Sequence, residues 1–167
     1  MTIVGLNPLF LLSLTFLLMM GIQAMEVKKT QLQFYMHDIV KARNATAVKV
    51  TPGLPAAFGM IYVMDDPLTE GPQHNSRAVG RATGMYLSDS LKDVSVLMVF
   101  TVVFGEGMYN GSTLSFQGQD SVFLKQRELS VVGGTGFFRF VTGHAIMETH
   151  YSKGLNAVLR FNITVVH

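Results

Sequence analysis

The sequence predicts an all-β protein, and three observations carry that expectation. Beyond residue 30, β-branched and aromatic runs alternate with Gly, Asn, Asp and Pro punctuation. No segment of that part holds a 3.6-residue apolar period, so no amphipathic helix is expected. Eight strand-like runs follow one another: Gln31 to Val40, Ala57 to Asp65, Ser76 to Ser88, Ser95 to Phe104, Thr113 to Gln119, Glu128 to Val132, Phe137 to His150, and Ala157 to Val166. Eight antiparallel strands of this size close into a barrel, although a sandwich fits the same pattern.

The first run, QLQFYMHDIV, places Leu32, Phe34, Met36 and Asp38 on one face by period-2 alternation. Asp38 is therefore either a carboxylate among bulky apolar side chains or the start of a solvated loop. The segment Lys41 to Ala56 holds a sequon, two prolines and a glycine, which suits an exposed loop at a barrel mouth. After the second run comes DDPLTEGP (Asp65 to Pro72). Calcium loops need alternating oxygen ligands and a late bidentate Glu, whereas Pro67 and Pro72 point to a rigid turn.

The later links read as hairpins: FGEGMYNGS between runs four and five, GGTG between six and seven, and SKGLN between seven and eight. GGTG also raises the possibility of a phosphate cradle. Such a loop needs a following helix with a Lys-Ser/Thr pair or a full G-x-G-x-x-G spacing, and here the β run FFRFVTGHAIMETH follows. The glycines are expected to serve a chain reversal.

Length and composition narrow the class. The chain has 167 residues and is 49% hydrophobic, enough for one domain with a sizeable core and too apolar for a disordered chain. No charged side chain precedes Glu26, and Leu9 to Ile22 is apolar but for Ser13 and Thr15 and short for a membrane span. Residues 1–24 are expected to be a secretory signal peptide and residues 25–167 the mature domain. Sequons at Asn44, Asn110 and Asn162 then make a glycosylated extracellular protein the economical reading, with no membrane association after cleavage. Without cysteine, neither disulfides nor thiolate chemistry is available. The net charge of +2 lacks a basic run, so nucleic acid is not an expected partner.

Polar side chains among apolar strands are the candidates for chemistry, because a buried charge is costly unless paired or used. Besides Asp38, Asp120 closes STLSFQGQD and Arg127 opens RELSVV, so adjacent strands can bring the two together at one end of the fold. On spacing alone they read as a rim salt bridge. His144 and His150 share a strand face but stand about 20 Å apart, and His37 and Asp38 face opposite sides, so neither a metal site nor a triad is expected.

Five motifs, FYMHDIV, DDPLTEGP, VGRATGMY, YNGSTLSFQGQD and RELSVVGGTGFFRF, together resemble the plant dirigent proteins in order and spacing. The resemblance runs from about residue 32 to the C-terminus. It implies an eight-stranded antiparallel β-barrel similar to allene oxide cyclase, secreted to the apoplast and assembled as a homodimer or homotrimer. It implies no cofactor. An external laccase or peroxidase makes phenoxy radicals from monolignols such as coniferyl alcohol, and the barrel binds these phenolics and directs stereoselective coupling to lignans. By the same resemblance Asp38 and Asp120 are catalytic candidates, and Tyr86, Arg127 and Thr149 are substrate-binding candidates. The resemblance overrides the rim reading of Asp120 and Arg127. Two alternatives accompany it: a pterocarpan-synthase-like lyase acting through a quinone methide, and a wall protein that organises lignin deposition.

Overall fold

The computed structural model describes residues 27–51 and 57–166. The expected signal peptide lies outside the described residues, as does most of the proline-containing part of the loop after the first strand. Among the described residues there are nine strands: β1 (Lys29–Asp38), β2 (Ala47–Lys49), β3 (Ile61–Thr69), β4 (Ala78–Ser88), β5 (Ser95–Phe104), β6 (Thr113–Ser121), β7 (Arg127–Thr135), β8 (Thr142–Lys153) and β9 (Asn156–Val166). They form one antiparallel sheet in the order β1-β9-β8-β7-β6-β5-β4-β3-β2, and β1 also pairs with β3 through Tyr35–Thr69 and Met36–Leu68. That pairing closes the eight long strands into a barrel, as expected, and leaves no free edge along most of its length.

Alternation decides what fills the barrel. Phe34 and Met36 of β1, Met98, Phe100 and Val102 of β5, Leu114 and Phe116 of β6, and Leu159, Phe161 and Ile163 of β9 all point inward and are buried. Phe161 is central: its ring lies 5.4 Å from Phe34, 5.9 Å from Phe100 and 6.4 Å from Phe116, while Phe100 and Phe116 stack at 5.0 Å. Burying each such ring contributes about 1.5–3 kcal/mol. A cysteine-free chain thus draws its stability from a filled aromatic core within a closed ladder.

Four sequence expectations need correction. The segment Lys41 to Ala56 is not all loop, because Ala47–Lys49 forms β2 against Met64–Tyr62 of β3. Three residues are too short for a periodic signal; the strand exists because β1 covers β3 only near Leu68 and Thr69. The second run lies four residues later than expected, since Ala57 and Gly59 adopt positive φ in a turn.

Asp65, Asp66 and Pro67 lie inside β3, so DDPLTEGP begins in a strand and turns only after Thr69. Proline fits there for a clear reason. The N–H of Asp65 bonds to Thr46 O on the β2 side, so alternation sends the Pro67 nitrogen to the same side, where the ladder passes from β2 to β1 and no bond is lost. The adjacent carboxylates face opposite ways: Asp65 pairs with Arg81 outside the barrel, and Asp66 is buried inside. They cannot share a calcium ion.

The seventh run begins at Thr142 rather than Phe137, because Gly136–Phe138 forms a 3-10 turn. The glycines of GGTG serve that reversal. Gly136 has φ +61°, and a Cβ on Gly134 would stand 2.6 Å from Thr113 O and 2.7 Å from Phe138 O. The turn expectation holds, with the reversal placed slightly later in the chain.

Candidate functional site

Up-and-down connectivity brings alternate strand ends to one rim. The C-terminal ends of β1, β4, β6 and β8 and the N-terminal ends of β3, β5, β7 and β9 meet there. The core rings stop short of it, and a cavity of about 690 Å³ opens at this end. Asp38 ends β1, Tyr86 lies near the end of β4, Asp120 near the end of β6, Arg127 begins β7, and Thr149 lies late in β8. All five line that one cavity, with Tyr62, Val96, Met98 and Leu159 among its apolar and aromatic walls.

The polar residues form two groups. In the first, the Tyr86 hydroxyl donates toward Asp38, 3.3 Å from Oδ2 and 3.5 Å from Oδ1. The Tyr86 ring stacks on Tyr62 at 5.1 Å, which fixes the hydroxyl's direction. Burial raises the Asp38 carboxyl to about 6, against the opposing hydrogen bond from Tyr86. Burial, followed by the nearby Asp38 charge, pushes Tyr86 well above the usual phenol range, so it remains a neutral donor.

In the second group, Arg127 Nε donates to Asp120 Oδ1 at 2.7 Å, and the pair is almost wholly buried. The other guanidinium nitrogens donate to Thr149 Oγ1 at 2.9 Å and to Leu124 O at 3.2 Å. Three anchors hold the guanidinium in one orientation, as its planar fork allows. Burial raises the Asp120 carboxyl, and Arg127 opposes that rise through charge and hydrogen bond. The rim salt bridge suggested by spacing is therefore a buried pair in the cavity wall.

A carboxyl with a pKa near 6 donates a proton below that pH and accepts one above it, and Tyr86 and Arg127 add fixed donors. The arrangement suits proton transfer to and from a bound molecule that carries phenol or carbonyl oxygens.

The other sequence candidates fall elsewhere. His37 faces away from the cavity and its Nε2 lies 2.7 Å from Thr69 Oγ1. His144 and His150 are exposed on β8, His150 meeting the Tyr35 ring edge-on at 5.4 Å. Among the described residues no three His, Cys, Asp or Glu side chains gather as metal ligands. Asn44 and Asn110 are exposed, whereas Asn162 is half-buried within β9. Sequence reasoning missed Tyr62 and Asp66. Tyr62 shares period-2 alternation with Met64, a signal that was present; Asp66 was hidden because Asp-Asp-Pro reads as a turn.

An eight-stranded antiparallel barrel with a cavity of about 690 Å³ at one end, lined by both polar and apolar side chains, has the architecture of barrels that hold small molecules. The family model for dirigent-like proteins matches residues 29–166, and the chain belongs to that family. It is 46% identical over 145 residues to dirigent protein 1 of Arabidopsis thaliana, covering 84% of this chain and 80% of that one. It is 39% identical over 153 residues to pterocarpan synthase 1 of Glycyrrhiza echinata, covering 85% and 80%. A solved structure of a pterocarpan synthase dirigent protein superposes with a TM-score of 0.81 at 40% identity, covering 87% and 88% of the two chains.

Proposed function

We propose that the cavity receives phenoxy radicals made by an external laccase or peroxidase from a monolignol such as coniferyl alcohol, and directs their coupling to an optically active lignan. One observation carries this reading: both carboxyl groups line a single cavity, each beside its own fixed donor. Two radicals join through one C–C bond to give a bis-quinone methide. In each ring closure the carbonyl oxygen gains a proton while a side-chain hydroxyl adds to the methide carbon and loses its proton. In this reading Asp38 and Asp120 act as the acid and base, Tyr86 and Arg127 as donors to the phenolic oxygens, and Thr149 as support for the guanidinium.

The pterocarpan synthase relatives favour a second reading, a lyase that removes water from an isoflavanol through a quinone methide. The same two carboxyls would act, and the readings differ in their need for an oxidant. Coniferyl alcohol with laccase should give a racemate alone and one enantiomer in excess with the protein added. Consumption of an isoflavanol without oxidant, together with a racemic lignan, would reject the radical reading in favour of the lyase.

The reading includes secretion to the apoplast, glycans on exposed sequons, and assembly into a homodimer or homotrimer. The apolar leader and the exposure of Asn44 and Asn110 support the first two. Supporting the third, Val48 of β2, Val63 of β3 and Met85 of β4 lie side by side on the outer face, each at least 40% exposed. Sedimentation and intact-mass analysis of protein collected from plant culture medium should give a multiple of the protomer mass, added glycan and no leader, and Met85→Asp should shift the assembly toward monomer. An unglycosylated monomer, independent of concentration, would contradict this part of the proposal.

A further inference from the structure

Asp66 is buried at 0% exposure beneath the cavity, not among its lining residues, and the scheme above gives it no role. Its neighbours are specific. Met36 of β1 pairs with Leu68 of β3, so the same inward faces carry Asp38 and Asp66 two residues further on toward the rim. Between them the ladder is interrupted by Thr46, whose N–H bonds to Ile39 O at 2.8 Å and whose carbonyl accepts from Asp65 N at 2.9 Å.

The Thr46 hydroxyl sits among three groups. It accepts from Ile39 N at 3.1 Å, lies 3.3 Å from His37 O, and is 2.5 Å from Asp66 Oδ1. His37 and Ile39 are the two residues flanking Asp38. A hydroxyl has one proton and two lone pairs. If that proton goes to His37 O, the remaining lone pair is satisfied only when Asp66 Oδ1 itself bears a proton and donates it. If Asp66 is ionised, Thr46 must turn its proton to Asp66 and His37 O loses it. Asp66 Oδ2 has no hydrogen-bond partner among the described residues, which a carbonyl oxygen tolerates far better than a shared anionic charge does.

We propose that Asp66 is a positioning residue that, while it holds its proton in mildly acidic solution, clamps through Thr46 the two residues flanking Asp38. Ionisation releases the clamp and adds a second negative charge facing Asp38. The charged and titratable groups around Asp66 are Asp38 on β1, Asp65 on β3, and Arg81 and Tyr86 on β4. Burial is the largest influence and raises the Asp66 carboxyl to about 7, with the Asp38 and Asp65 charges adding to the rise and Thr46 and Arg81 opposing it. Asp38 and Asp66 then titrate as a coupled pair, each charge opposing the ionisation of the other.

This inference rests on Asp38 acting in the site, but its test needs no substrate. The folded-state pKa of Asp66 lies above its unfolded value, so the stability it contributes is present below about 4 and is lost as pH rises toward 7. Carboxyl-carbon NMR of aspartate-labelled protein should show a group titrating near 7 that disappears in Asp66→Asn and moves lower in Asp38→Asn. Asn supplies a neutral N–H to Thr46, so Asp66→Asn should keep the wild-type Tm at pH 5 and flatten its decline toward pH 8. Asp66→Ala and Thr46→Val should lower Tm at pH 5. An Asp66 that titrates below 5, or an Asp66→Asn protein as unstable as Asp66→Ala at pH 5, would overturn the proposal. A racemic lignan from the coniferyl alcohol assay would reject the radical reading and leave this one standing.

Discussion

Asp120→Ala is expected to lower the unfolding free energy by about 3–5 kcal/mol, because it leaves the Arg127 guanidinium buried without its counter-charge. Thr149 Oγ1 and Leu124 O still accept from Arg127, but neither is charged, so they stabilise the cation only in part. Asp120→Asn keeps an acceptor oxygen and should cost less. Replacing both partners, Asp120→Ala with Arg127→Leu, should recover much of the loss, since the penalty arises mainly from the orphaned charge. Urea unfolding at pH 7 with an unchanged m-value measures each step. A loss below about 1 kcal/mol for Asp120→Ala would return the pair to the solvated salt bridge that spacing alone suggests.

Asp38→Asn should have the opposite profile, with little loss of stability and a large loss of function. Its amide preserves the shape beside Tyr86 but cannot exchange a proton, so directed ring closure should slow by about 10²–10⁴-fold and the uncatalysed, unselective route should dominate. Burial raises the folded-state pKa of Asp38 to about 6. Its contribution to stability is therefore complete below the unfolded value near 4 and lost as pH rises through 6, so at pH 8 the Asn variant should be as stable as wild type or more so. If Asp38 donates the proton, stereoselective product should decline as pH passes upward through about 6, and the Asn variant should show no such decline. A stability loss at pH 8 as large as that of Asp120→Ala would assign Asp38 a structural role instead.

Much of the barrel is legible because inward positions repeat with period two. Ser95–Phe104 reads correctly to the residue, since Met98, Phe100, Val102 and Phe104 point inward and no turn residue interrupts them. β2 is not legible, because it is held by the exposed edge of β3 rather than by its own composition. The position of β3 is hidden by Asp-Asp-Pro, whose turn preference yields to an edge where proline loses no hydrogen bond. Asp38 is visible in the sequence as a charge at an inward position, and the structure sets it beside Tyr86. Asp120 and Arg127 lie close enough in sequence for adjacent strands to bring them together, but their burial depends on the rim of β8, through Thr149, and on the Leu124 carbonyl. Asp66 and Thr46 are illegible as a pair because Thr46 reads as part of a sequon, and the loop that carries it folds back between two strand ends.

The most direct measurement is chiral chromatography of the lignan formed by laccase and coniferyl alcohol at pH 5.5, with wild type, Asp38→Asn or no added protein, after circular dichroism has shown both proteins folded. The account predicts an enantiomeric excess with wild type that falls to the protein-free racemate with Asp38→Asn. An excess that survives intact in Asp38→Asn would remove Asp38 from the chemistry, and a racemate with wild type would contradict stereodirected coupling of this phenol.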